Sequence, residues 1–107
     1  MTFYKLSDLK RNVTLPGQPP AEGHAIQGQR MEVRYYRYPP SAGHKPHAHA
    51  EEQVMMVMKG QMRSRVAGEQ KILGPGEAVY IAANVEHESW SVGEEVEFIN
   101  LKAVVTP

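Results

Sequence analysis

The segment His47-Ala48-His49-Ala50-Glu51-Glu52-Gln53-Val54-Met55-Met56-Val57-Met58-Lys59-Gly60 decides how the rest of the chain is read. Side chains alternate across an extended strand, so residues two apart project from the same face. On that reading His47 and His49 meet a single ion, at the roughly 2.0–2.1 Å typical of a metal–imidazole bond. Gln53 has the same parity, as do Met55 and Val57 beyond it. A ligating face that continues into an apolar lining is the form expected of a metal site at the mouth of a β-barrel. Residues 54–58 are apolar on both faces, so the second face also needs cover from water. A second sheet, a partner subunit or the chain's own N-terminal segment would supply it, and the pattern favours a homodimer.

Outward from this segment the chain divides into short strands, expected over residues 31–38, 52–58, 61–67, 70–73, 78–82, 87–92 and 96–105. Valine and tyrosine enrich the first of these, and Pro39-Pro40, which cannot donate to a ladder, stop it. Lys59-Gly60, Gly68-Glu69 and Gly74-Pro75-Gly76 mark later turns. Short strands at close spacing between Gly and Pro turns indicate an all-β barrel or sandwich rather than a βαβ architecture. No segment holds a helical period of apolar residues. Residues 1–29 are broken by Pro16, Gly17, Pro19, Pro20, Gly23 and Gly28, and read as an irregular or edge segment packing on the barrel or on a partner. Residues 30–107 read as the barrel domain.

Composition narrows the chemistry. A chain of 107 residues is enough for one compact domain. Twelve basic and twelve acidic side chains cancel, which argues against nucleic acid or an anionic membrane as partner. The absence of cysteine leaves only nitrogen and oxygen ligands for a metal. The first fifteen residues carry Lys5, Asp8, Lys10 and Arg11 and lack a continuous apolar core, so no secretory signal is read there. No run of about twenty apolar residues exists to span a membrane. The expected location is the cytoplasm.

A third histidine, His87, opens a later strand. A His-x-His pair alone is often a solvated pattern, and a lone histidine is often structural. Their spacing in this chain says more. His47-Ala48-His49, three residues, Gln53, six residues and Gly60 match the first motif of the cupin superfamily, G-x5-H-x-H-x3or4-E-x6-G. Gly76, five residues, Ala82, one residue, Asn84, two residues and His87 follow the second, G-x5-P-x-G-x2-H-x3-N. Glutamine stands for the usual Glu, and Ala82, Asn84 and Ser91 stand for Pro, Gly and Asn. Asparagine is the best non-glycine choice for a left-handed turn. Gly43 lies near the place of the leading glycine, though not at its usual distance. The chain therefore resembles a small single-domain cupin. The resemblance implies a double-stranded β-helix (jelly-roll) barrel in which His47, His49, Gln53 and His87 converge on one divalent metal.

Three imidazoles and a carboxamide form a neutral ligand set, so a bound ion keeps its dipositive charge. Such a centre attracts an anionic chelating substrate and suits iron dioxygenase chemistry less well than a carboxylate-ligated one. Zn, Ni, Mn and Fe are all compatible with these donors. A narrower likeness is to KdgF-type sugar-acid cupins of pectin and alginate degradation, which share an H-x-H-x3-Q signature. These convert unsaturated uronates to linear keto sugar acids. Their last long strand offers an Asp and, two residues on, a Phe to the pocket; the corresponding residues here are Asn100 and Lys102. Asn100 cannot serve as a general base, whereas Lys102 brings a cation able to hold a carboxylate.

Other residues are assigned lesser parts. Tyr36 is a candidate proton donor; it shares parity with Arg34 and Tyr38, while Tyr35 goes with Val33 and Arg37. Alternation does not say which set faces inward. Arg63 and Arg65 are read on the solvent face, Trp90 between the sheets, and His44, three residues before His47, in a surface loop, with a place at the pocket mouth as its alternative. The functional expectation is a metal-dependent enzyme, isomerase- or tautomerase-like, acting on a small carboxylated or sugar-acid molecule. A metal-dependent dioxygenase and a non-catalytic binding or sensing cupin are the alternatives.

Overall fold

The computed structural model describes residues 2–13 and 21–104. After a short 3-10 turn at Leu6–Asp8, ten strands follow among the described residues: β1 (Lys10–Val13), β2 (Ala21–Gln27), β3 (Met31–Tyr38), β4 (Gly43–His47), β5 (Gln53–Lys59), β6 (Met62–Val66), β7 (Glu69–Leu73), β8 (Ala78–Ile81), β9 (His87–Ser91) and β10 (Val96–Ala103). They form two antiparallel sheets, a six-stranded one ordered β1-β2-β3-β10-β5-β8 and a four-stranded one ordered β4-β9-β6-β7. From β3 onward the chain passes back and forth between the sheets, which is the winding of a jelly-roll barrel. The all-β expectation holds.

Alternation decides what fills the space between the sheets. Gln53, Met55 and Val57 are buried along β5, while Val54 and Met56 are only partly covered on its other face. Tyr36 and Tyr38 of β3, Val96, Phe98 and Asn100 of β10, and Met62 of β6 point the same way. The Phe98 ring meets Tyr38 at 4.8 Å and Tyr36 edge-on at 6.4 Å. One end of the barrel is thus sealed by apolar packing, at about 25 cal/mol per Å² buried, and the polar residues collect at the other.

Two local readings are corrected, those of residues 43–47 and of Trp90, and the N-terminal segment takes the edge form of its two alternatives. Residues 43–47, left without an element by the sequence, form β4 against β9, with Gly43 opposite Trp90 and His47 opposite His87. Residues 21–27 are a regular strand paired with β3 from Glu22↔Arg37 to Gln27↔Glu32. Gly23, which reads as a breaker, is required by a close approach: a Cβ there would lie 2.0 Å from the Tyr35 carbonyl oxygen. Trp90 lies on the outer face of the four-stranded sheet beneath the Arg63 guanidinium, 5.7 Å from its ring centre, and not between the sheets. Arg63 and Arg65 do face away from the barrel interior, as Met62 and Ser64 are the buried members of β6.

β1 and β2 lengthen the six-stranded sheet beyond β3, at its edge. They do not lie over β5. Among the described residues Met58, Tyr80 and Leu101 are all exposed on the outer face there.

Candidate metal centre

His47 closes β4 and His87 opens β9, directly opposite each other in the ladder with ring centres 4.3 Å apart. His49 is not on a strand; it sits in the connector between β4 and β5. The shared-face argument for His47 and His49 therefore fails as a mechanism, although the two do converge. A side-chain hydrogen bond orients each ring instead. Nδ1 lies 2.7 Å from the Lys45 carbonyl in His47, 2.8 Å from that of Glu51 in His49 and 2.8 Å from that of Val85 in His87. A carbonyl can only accept, so each Nδ1 carries the proton and each Nε2 keeps its lone pair. Fixing the tautomer of a metal-binding imidazole in this way is the usual task of a supporting backbone carbonyl.

The ligand atoms offered by His47, His49 and His87 all lie within 4.8 Å of one another, a grouping that could hold a metal ion. Nε2 of His49 and of His87 is buried with no hydrogen-bond partner. An orphaned buried acceptor costs about 1–3 kcal/mol, and two aimed at one point are what a metal would satisfy. Burial lowers the pKa of both rings, with Lys102 adding to the effect at His49, so the neutral, ligating form is favoured. The residues fit a divalent ion.

Gln53 opens β5, is buried at 6 % exposure and lines the same cavity as the three histidines. Its neighbour in the ladder is Lys102. The cavity has a volume of about 340 Å³, at the lower end of the range for small-molecule sites. No Asp or Glu lines it among the described residues. Its six-stranded wall presents Arg34, Tyr36, Asn100 and Lys102 toward the histidines. Tyr36, Asn100 and Lys102, each singled out in the sequence, are thus brought together.

Arg34 and His44 line the cavity as well, the first given no role by the sequence and the second read chiefly as a surface-loop residue. Arg34 belongs to the inward set of β3, which alternation could not choose. His44, expected in a surface loop, is a β4 residue lining the cavity, its ring 5.2 Å from Tyr38 and 5.7 Å from His47. Burial first and His47 second hold its pKa down at about 4. His44 and His47 differ in parity, yet a register shift between them in the pairing with β9 turns both inward. Pro46, which has no N–H to place in a ladder, falls within that irregularity.

The cupin domain family matches residues 34–102. The chain belongs to this family, and its barrel carries a three-histidine group. Among solved structures, KdgF from Halomonas sp. superposes with a TM-score of 0.83 at 18 % identity, covering 99 % of this chain and 96 % of that one. A predicted oxalate decarboxylase from Thermotoga maritima gives 0.83 at 13 % identity, covering 97 % and 100 %. The polyketide cyclase RemF from Streptomyces resistomycificus gives 0.83 at 20 % identity, covering 100 % and 82 %. At such identities the likeness establishes the shared fold. No curated protein matches the sequence significantly. Among the described residues no helix is long and apolar enough to cross a membrane.

Proposed function

We propose that this cupin is a metal-dependent enzyme that isomerises or tautomerises a small carboxylated molecule, a sugar acid being the most concrete case. One observation carries the reading: His47, His49 and His87 turn proton-free Nε2 atoms toward one point in a cavity that no carboxylate lines among the described residues. A divalent ion held there by the three histidines and Gln53 would supply Lewis-acid polarisation of a carbonyl or hydroxyl oxygen. The likeness to sugar-acid cupins in the H-x-H-x3-Q signature supports the substrate class.

The chain's own groups account for the rest. The carbonyls of Lys45, Glu51 and Val85 hold the imidazoles in a single tautomer. Tyr36 brings a buried phenol whose oxygen has no hydrogen-bond partner, held by the edge of Phe98. In this reading that phenol gives a proton to a substrate oxygen. Asn100 can orient a hydroxyl but cannot take a proton. Tautomerisation moves one proton between oxygen and carbon and consumes no oxidant, which suits a neutral ligand set.

The test is a panel of unsaturated uronates given to the protein loaded in turn with Zn, Ni, Mn and Fe(II). Loss of the ultraviolet absorbance of the conjugated acid is expected, abolished by chelation and restored by metal. Oxygen consumption without isomerisation would replace the proposal with a dioxygenase. Ligand binding with no turnover under any metal would replace it with a binding cupin.

A further inference from the structure

Two cations on the cavity wall have no part in holding a metal. In the ladder Lys102 stands opposite Glu32 and Gln53, and Asn100 stands opposite Arg34 and Met55. Arg34 and Lys102 are therefore diagonal neighbours on the inner face of adjacent strands, a separation that long side chains bridge. Glu32 holds Arg34 through Nε, and the Tyr36 ring lies 5.6 Å from the guanidinium carbon. The remaining guanidinium donors form no hydrogen bond among the described residues. Lys102 forms no ion pair there either. Burial first and Arg34 second push its pKa down, against a smaller opposing pull from Glu51. With Glu32 paired to Arg34, the two cations still leave a net positive charge on this wall of the cavity, which a ligand anion between them would offset.

Beside this pair lies an acceptor lacking a donor. Asn100 Oδ1 is buried with no hydrogen-bond partner and faces the same cavity. A ligand hydroxyl next to a ligand carboxylate would satisfy the amide and the two cations together. Arginine's planar fork matches a carboxylate in two-point fashion, and a lysine beside it adds a point charge.

We infer that the cavity binds a hydroxylated carboxylate in a fixed direction, its carboxylate between Arg34 and Lys102, the adjacent hydroxyl on Asn100 Oδ1, and its far end toward His47, His49 and His87. The inference deepens the proposed function, resting on it only in taking the ligand to be a small acid. It fixes which end reacts. The carboxylate is an anchor and not a metal chelator, so the selectivity for acid over neutral sugar resides in the protein and survives without metal.

The experiment is calorimetric or ligand-observed NMR titration of gluconate, galactonate and threonate, each against its neutral counterpart (glucitol, galactitol, threitol), on metal-free and metal-loaded protein. At least one acid is expected to bind more tightly than its counterpart in both states. Lys102→Met should weaken that acid by about tenfold or more, the worth of a charge-assisted hydrogen bond, with metal content unchanged. Arg34→Lys keeps the charge and the pairing with Glu32, so the fold is retained, and should weaken it several-fold. A preference that appears only with metal places the carboxylate on the ion and overturns the inference. So does wild-type affinity in both variants, or no preference for any acid over its neutral counterpart. Failure of the metal reading would register separately, as a protein that takes up no metal.

Discussion

The backbone amide of Asn84 donates to the carbonyl oxygen of His49 at 2.7 Å. This single bond ties the loop that carries one imidazole to the loop that delivers His87. Asn84 makes it from a left-handed conformation, with φ of 62°. The motif's glycine position is thus filled by a residue that tolerates the geometry and also braces the site.

Replacing Asn84 therefore separates backbone strain from side-chain chemistry. Asn84→Gly should keep both stability and metal affinity close to the parent's. Asn84→Val places a β-branched side chain at positive φ and should cost about 1–2 kcal/mol. Because the strained amide is the one bonded to His49, metal affinity should fall with it. Chemical denaturation and metal titration on both variants check this. An Asn84→Val protein with unaltered metal affinity would show that the two loops hold the site independently.

Metal binding should appear as added stability. A ligand that binds only the folded state, at about 100 times its Kd, contributes about 2.7 kcal/mol. Zinc or nickel should raise the unfolding midpoint accordingly, and chelator should reverse the rise. His49→Ala should abolish the response while leaving metal-free stability within about 1 kcal/mol, since its orphaned Nε2 is itself unfavourable when no ion is present. Unchanged metal content in His49→Ala would defeat the assignment.

Gly43 tests how tightly β4 must sit on β9. A Cβ at this position would lie 2.1 Å from the Ser89 carbonyl oxygen and 2.4 Å from Trp90 Cα, so the strands would have to part. Gly43→Ala is expected to cost roughly 1–3 kcal/mol and to weaken metal binding, because the same ladder sets His47 opposite His87. Gly28→Ala, whose Cβ would make contacts no closer than 3.5 Å, serves as the control. A thermal melt and a metal titration of each variant decide the matter.

The sequence made some of this visible and hid the rest for identifiable reasons. Glycine and proline turns and the alternation along 53–59 were enough for an all-β barrel or sandwich. The choice of the barrel and the convergence of His47, His49 and His87 came from the resemblance to the cupin motifs and not from the spacing itself. His44 was hidden by one extra residue in β4, which reverses the parity between it and His47. Arg34 was hidden because tyrosines occupy both faces of β3, and only pairing with β10 reveals which face holds the cavity. β2 was hidden because Gly23 looks like a break when it is a point of contact. In each case the missing information is a relation between strands, which no single segment contains.

Gln53 is where a single atom type sets the character of the site. Gln53→Glu would add a negative charge beside the three imidazoles and opposite Lys102 in the ladder. Metal affinity should rise, and a gain of about 1.4 kcal/mol would register as tenfold. The new carboxylate should also recruit the Lys102 ammonium, raising a pKa that burial and Arg34 now hold down. Acid ligands should bind more weakly as a result, since one of their cations is engaged and the cavity is less positive. Opposite changes in metal and acid affinity, measured on one variant, distinguish this account from a loss of folding, which would lower both. Unaltered metal affinity in Gln53→Glu would place the glutamine outside the ion's reach, leaving the three histidines to hold it alone.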